Sequence, residues 1–143
     1  MKTLQELSDR REIEDQITAY SYAIDFHRWD ELDAIFTEDA VLDFTATGGE
    51  RGDLAAIKGF LDRALNLFAG HQHLMGNTKV EFTSDDGNAA TSSTMCHNPM
   101  YLHGEDGQRL VFVGIWYHDT WRRTEDGWRI SHRVQQKGYL HGL

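Results

Sequence analysis

The chain has 143 residues, 40% of them hydrophobic and 26% charged, the make-up of one ordinary globular domain and too short for a multidomain machine. A domain of this size removes roughly two-thirds of its unfolded surface from water, enough for a core and one enclosed pocket without disulfides or structural metal. The 23 acidic against 14 basic residues leave a net charge of -9 with histidine neutral, which repels phosphate backbones and anionic headgroups, so nucleic acid and membranes are not expected partners.

From Ser8 to about Phe26, the residues Ile13, Ile17, Tyr20 and Ile24 recur at three- and four-residue steps, the spacing of one apolar helical stripe with Ser8 as its N-cap. Leu32, Ile35 and Phe36 predict a second, short helix closed by Glu38-Asp39. Ala40 to Thr47 alternates as a strand and ends at Gly48-Gly49. A third helix starts near Asp53, carries Leu54, Ile57, Phe60, Leu61, Leu65 and Phe68, and stops at Gly70.

Four segments of β character follow, at 72–83, 88–103, 108–123 and 127–138. Asp86-Gly87, Gly104 to Gly107 and Glu125-Asp126-Gly127 separate them as hairpin connections. The expected fold is therefore α+β, a single domain over 1–143 with helices packed on one face of a curved, mostly antiparallel sheet. In the third segment both alternating sets are apolar, Leu110, Phe112 and Trp116 against Val111, Val113, Ile115 and Tyr117. A sheet with one face in water would show a polar set. Either one face lines a cavity, or a second copy of the chain covers it in a homo-oligomer, a trimer or dimer.

Cys96 is the single cysteine, which excludes an intrachain disulfide and a cysteine-built zinc site and fits a reducing compartment. Met1 to Leu7 turns polar before a signal region can form, and the apolar run from Leu110 to Tyr117 is far short of the ~20 residues of a spanning helix. The cytoplasm is the expected location.

Asp25 closes the first helix in a stretch otherwise built for burial, where a carboxylate must be capping, solvent-facing or paired. His71-Gln72-His73 opens the β region. Histidines at i and i+2 on a strand share a face and could bind a metal, but no third ligand sits at a telling spacing, so none is expected. A neutral histidine near pH 7 is the usual proton-transfer group, and a carboxylate both fixes its tautomer and stabilises its charged form. Asp25 with His73 would make such a dyad.

His97 and Asn98 form a hydrogen-bonding pair among apolar neighbours that could polarise a substrate oxygen. Arg133 alternates with the apolar set of the last strand and could pair with a buried carboxylate or bind an anionic leaving group. Arg122-Arg123 reads as a solvated strand end and Cys96 as core. The chain has no phosphate-binding glycine loop, nucleophile elbow, His-Glu-x-x-His or dinucleotide fingerprint, which argues against nucleotide, nicotinamide and zinc chemistry.

The segments Ile13-Glu14-Asp15-Gln16, Tyr20, Asp25, Trp29-Asp30-Glu31-Leu32, Phe36 to Ala40, His73-Leu74-Met75-Gly76-Asn77 and Asp126 to Ile130 resemble the SnoaL-like members of the nuclear transport factor 2-like superfamily, in the scytalone dehydratase and hexachlorocyclohexane dehydrochlorinase branch. The resemblance implies a cone-shaped α+β barrel enclosing a pocket. It implies a histidine base with an aspartate partner at His73 and Asp25, no cofactor, and substrate contacts from Tyr20, His97, Trp116 and Arg133. Tyr20 stands where the dehydrochlorinase has lysine, which favours loss of water over loss of chloride. The expected activity is a dehydratase-like elimination on a small apolar cyclic or aromatic molecule. Isomerisation, a retro-aldol cleavage, epoxide hydrolysis and simple ligand binding remain alternatives.

Overall fold

The computed structural model describes residues 2–104 and 107–143. Helix α1 spans Leu4–Asp25, longer at its start than the apolar stripe suggests. Its N-cap is Thr3, whose hydroxyl accepts from the Glu6 N–H while the Glu6 carboxylate accepts from the Thr3 N–H, each at 3.1 Å. This reciprocal capping box starts the helix five residues before Ser8, in a polar turn where no apolar periodicity could mark it. The predicted stripe is buried, with Ile13, Ile17, Tyr20 and Ile24 at 3% exposure or less.

The second helix shrinks to a 3-10 turn at Trp29–Ala34, and strand β1 runs Phe36–Asp43. Phe36 to Asp39, expected to close a helix, thus begins a strand. Thr45–Thr47, expected as its end, is a 3-10 turn leading to the two-residue strand β2, Arg51–Gly52. Helix α2, Leu54–Leu65, is N-capped by Asp53, whose carboxylate accepts from the Ala56 N–H at 2.9 Å. It stops before Phe68, which belongs to strand β3, Phe68–His71. Strands β4 (Leu74–Phe82), β5 (Ala89–Gly104), β6 (Gly107–Thr124) and β7 (Gly127–His141) follow close to the expected bounds. Positive φ at Gly87 (73°) and Gly127 (107°) permits two of the connections. Glu105-Asp106 lies outside the described residues.

The sheet order is β2-β1-β7-β6-β5-β3, with β4 also paired to β5. All pairings are antiparallel except β1 with β7. The helices pack on this strongly curved mixed sheet as a half-barrel. Strand β7 carries two extra residues against β6: Gly114 and Ile115 pair with Tyr139 and Lys137, and Thr120 and Trp121 with His132 and Ile130. Such bulges bend and twist a strand. The second also resets the alternation. Trp128 and Ile130 point inward, the phase shifts across Ser131, and Arg133 then points inward as well. Without that bulge Arg133 would face outward.

Helix α1 is fixed to the start of β7 by polar clamps. The buried Asp9 carboxylate accepts from Arg123 at 2.9 and 2.7 Å and from the Trp128 indole at 3.1 Å. Glu12 accepts from the Trp128 N–H, and the Gln16 amide donates to the carbonyls of Ala34 and Trp128. Arg123 also lies over the Trp128 ring at 4.7 Å. The expected solvated end is therefore a clamp for Arg123, while Arg122 makes a surface pair with Asp39. No helix among the described residues is long and apolar enough to cross a membrane.

Hydrogen bonding to Arg123 holds the Asp9 carboxyl at about 2, against its burial, from an ordinary 3.8. Asp9→Ala is expected to lower the unfolding free energy by about 2–3 kcal/mol in urea titrations at neutral pH. A depressed acid stabilises the fold above its unfolded pKa and ceases to do so as pH falls through the folded one. The gap between variant and wild type should accordingly close as pH drops from 3.8 towards about 2.

Candidate active site

Asp25 is the last residue of α1, at the end of the helix whose dipole disfavours a carboxylate. Its position is compensated by N–H donors from the segment joining β3 to β4. The His73 backbone N–H donates to both carboxylate oxygens, at 3.1 and 2.9 Å, and His73 Nδ1 lies 2.7 Å from Oδ1. His71 Nδ1 lies 3.2 Å from the same oxygen. On the far side of that ring, His71 Nε2 meets His27 Nε2 at 2.7 Å.

Because an ionised carboxylate only accepts, the hydrogens of both imidazoles sit on Nδ1. His73 Nε2 is then a bare lone pair with no protein partner among the described residues, and His73 lines a cavity of about 1030 Å³. Asp25, His71, Tyr22, Phe26, Met100 and Phe112 share that wall.

Burial raises the Asp25 carboxyl, but the hydrogen bonds from His71 and His73 outweigh it and hold the group well below the usual carboxylate range. For His73 burial is the larger effect: it lowers the imidazole from its ordinary 6.5, and Asp25 offsets only part of this. His73 is therefore neutral at pH 7, the state a general base needs.

Tyr20 and Arg133 come together deeper in the half-barrel and are not among the residues lining that cavity. Arg133 is fully buried and donates through Nε and Nη2 to the Asp119 carboxylate, at 2.7 and 2.8 Å. Its guanidinium lies 4.1 Å from the Tyr20 ring and 4.3 Å from that of Tyr117. Nη1 has no partner among the described residues. Asp119 escaped the sequence reading, since a lone aspartate in an aromatic strand resembles a surface position, whereas Tyr117 belongs to the apolar set already marked for burial there. Cys96 is buried, and burial pushes its thiol up to about 12, as befits core.

His97 and Trp116 do not join this group. Leu74 pairs with His97, and along β5 the inward residues are Cys96, Asn98 and Met100. Strict alternation turns His97 outward, where it touches the Tyr139 hydroxyl and stacks on Phe112. Trp116 lies beside it, and both line a separate cavity of about 360 Å³ on the outer face. Of the pair His97-Asn98, it is Asn98 that faces inward, buried and with no partner for Oδ1 among the described residues.

Residues 5–134 match the profile of the SnoaL-like domain. The chain belongs to that family. The SnoaL-like chain is 44% identical over 137 residues to an uncharacterised protein of Mycobacterium tuberculosis, Rv2910c, covering 96% of this chain and 90% of that one. Among solved structures it is similar to a Novosphingobium aromaticivorans protein given the provisional name aromatic ring hydroxylase, with a TM-score of 0.82, 30% identity, and 96% and 94% of the two chains covered. A second protein of that organism, provisionally named a scytalone dehydratase, gives 0.80 at 23% identity, with 96% and 89% covered. The hexachlorocyclohexane dehydrochlorinase LinA-type3 of Novosphingobium barchaimii gives 0.83 at 18% identity, with 98% and 93% covered. At these last two identities the likeness is one of fold, the nuclear transport factor 2-like fold.

The balance of burial and carboxylate at His73 is open to NMR. Its ring should titrate below 6.5, and Asp25→Asn, by removing the opposing carboxylate charge, should move it lower still. A His73 that titrates above 6.5 would put the carboxylate in control and contradict this account.

Proposed function

We propose that this SnoaL-like chain is a cofactor-independent lyase in which His73 removes a carbon-bound proton and Asp25 stabilises the imidazolium that forms. The observation that carries the reading is the 2.7 Å contact between Asp25 and His73 Nδ1, which leaves Nε2 unprotonated at the wall of the large cavity. A base placed this way needs a substrate whose proton is already acidified, on carbon next to a carbonyl or an equivalent group. Loss of water is the first choice. The provisional scytalone dehydratase and the dehydrochlorinase support an elimination by sharing the fold.

The occupant of the cavity is a small apolar ring compound. Tyr22 and Phe26, one turn apart with rings 6.2 Å from one another, are both exposed at its wall and offer aromatic faces.

The chain also self-associates in this reading. The outer sheet face presents Met95, Tyr101, Leu110 and Tyr139, each at least 38% exposed, around the half-buried Phe112 and Trp116, and at Tyr101, Leu110 and Phe112 it runs into the wall of the large cavity. A second copy, in a dimer or trimer, would cover such a patch. Sedimentation velocity at micromolar concentration should show a species larger than one chain. A single monomeric boundary there would end this part of the proposal.

For the chemistry, a panel of cyclic β-hydroxy ketones should show growth of the conjugated-enone absorbance with wild type. His73→Ala should reduce it by roughly 10²-fold or more. With a base depressed below 6.5, kcat/KM should be level through neutral pH and fall only on the acid side of that value. Undiminished turnover by His73→Ala would remove the mechanism.

A further inference from the structure

His71 and His27 have no part in the chemistry above, yet they extend the dyad into a row of four polar side chains. Within that row, one carboxylate oxygen of Asp25 and one ring nitrogen each of His71 and His73 lie within 4.8 Å of one another. The spacing of His71 and His73 offered two ligands, and the end of α1 supplies the third. We propose that Asp25, His71 and His73 form a binding site for a divalent transition ion of the zinc class, and that its occupancy switches His73 off as a base.

Two imidazole nitrogens and a carboxylate oxygen are a donor set that suits zinc, cobalt or nickel in preference to magnesium or calcium. Tetrahedral bonds of ~2.0–2.1 Å hold neighbouring donors roughly 3.3–3.4 Å apart. Asp25 Oδ1 already lies 3.2 Å from His71 Nδ1 and 2.7 Å from His73 Nδ1, so an ion would open the His73 contact and draw the three donors to equal spacing from within 4.8 Å. All three residues line the cavity, which provides an entry path and room for a water or an exogenous fourth ligand. Among the described residues no lysine or arginine is salt-bridged to Asp25. Its negative charge is therefore free to meet an ion.

His27 is the independent observation. Metal-bound histidines donate their second ring N–H to a fixed acceptor, which sets the orientation of the ring. His27 Nε2 stands 2.7 Å from His71 Nε2, with the ring planes 8° apart. It reaches that place with φ at 54°, a left-handed conformation at a non-glycine residue. Such a backbone persists when its surroundings hold it, here the 4.9 Å packing of its ring on Trp29.

The switch follows from proton positions. Without an ion, Asp25 keeps the hydrogens of both rings on Nδ1, and His73 Nε2 is a lone pair. An ion on the two Nδ1 atoms moves each hydrogen to the Nε2 of its own ring. His71 Nε2 then donates to His27 Nε2, whose own hydrogen, directed at the His71 lone pair in the ion-free state, passes to His27 Nδ1, and His73 shows the cavity an N–H in place of a base. No proton enters or leaves the site. Ion binding stands independently of the lyase reading, whereas the loss of activity rests on it.

The test is titration of the full chain with Co²⁺, followed by visible absorption, and with Zn²⁺, followed by calorimetry and the histidine NMR signals. The expected result is one ion per chain, with the His71, His73 and His27 signals moving together. His71→Gln should weaken binding about 100-fold, His27→Gln about 10-fold, and His97→Gln should leave it unchanged. No binding at millimolar Co²⁺, or binding indifferent to His71→Gln and therefore made by surface histidines, would overturn the site. Full turnover with the ion bound would overturn the switch. Ion binding with these signatures in a protein that eliminates nothing from the ketone panel would leave the site standing and sink the lyase reading alone.

Discussion

The Asp25 carboxylate is the constraint on which the site depends. It sits at the C-terminal end of a 22-residue helix, where the dipole opposes it, and it is stable there because His73 and His71 bring N–H groups to it from the opposite side of the molecule. One residue thereby ties the end of α1 to the turn between β3 and β4. It also orders the tautomers of two imidazoles and leaves a single lone pair facing the cavity. Removing the charge alters packing, hydrogen bonding and acid-base character at once, which is why conservative variants such as asparagine are more informative here than truncation.

The other buried ions differ in how fully their hydrogen-bonding groups are used. Asp9 with Arg123 and Trp128 fastens the first turns of α1 to the hairpin of β6 and β7, and every strong donor and acceptor in that cluster is used. Asp119 with Arg133 is different. The pair is fully buried, its desolvation is compensated by a two-point contact and by the faces of Tyr20 and Tyr117, and one guanidinium nitrogen is left over.

The sheet separates its two faces in the same spirit. Along β6 the inward set Val111, Val113, Ile115 and Tyr117 is buried, while Phe112 and Trp116 on the other face stay half-exposed. A continuous apolar strand therefore serves an interior and an unpartnered outer surface. That second surface collects His97 and Trp116, the two candidate residues that face away from the interior of the half-barrel.

Much of the fold was legible in the sequence because local physics specifies it. Helical periodicity marked α1 and α2, turn residues marked the four long strands, and the apolar character of β6 marked its buried inner face, while its other face is half-exposed in the single chain. The segment at 36–39 differs from expectation because a short apolar run suits a helix or a strand equally and its pairing with β7 decides, while 45–47 leaves the strand in a turn where the Asp43 carboxylate accepts from the Thr45 N–H and hydroxyl. Asp25 and His73 could be named as partners from residue type and family pattern. Their 2.7 Å contact, the sharing of Asp25 with His71 and the approach of His27 required the tertiary structure, since these residues are brought together by chain segments nearly fifty positions apart. Arg133 makes the same point on a smaller scale: its sequence phase points outward, and one extra residue in β7, a bulge imposed by curvature, turns it into the interior beside Asp119. The sequence by itself determined which elements form and which residue types could carry a proton. Only the curved sheet decided which of those residues share a cavity, because side-chain direction depends on bulges and strand pairing that no local pattern encodes.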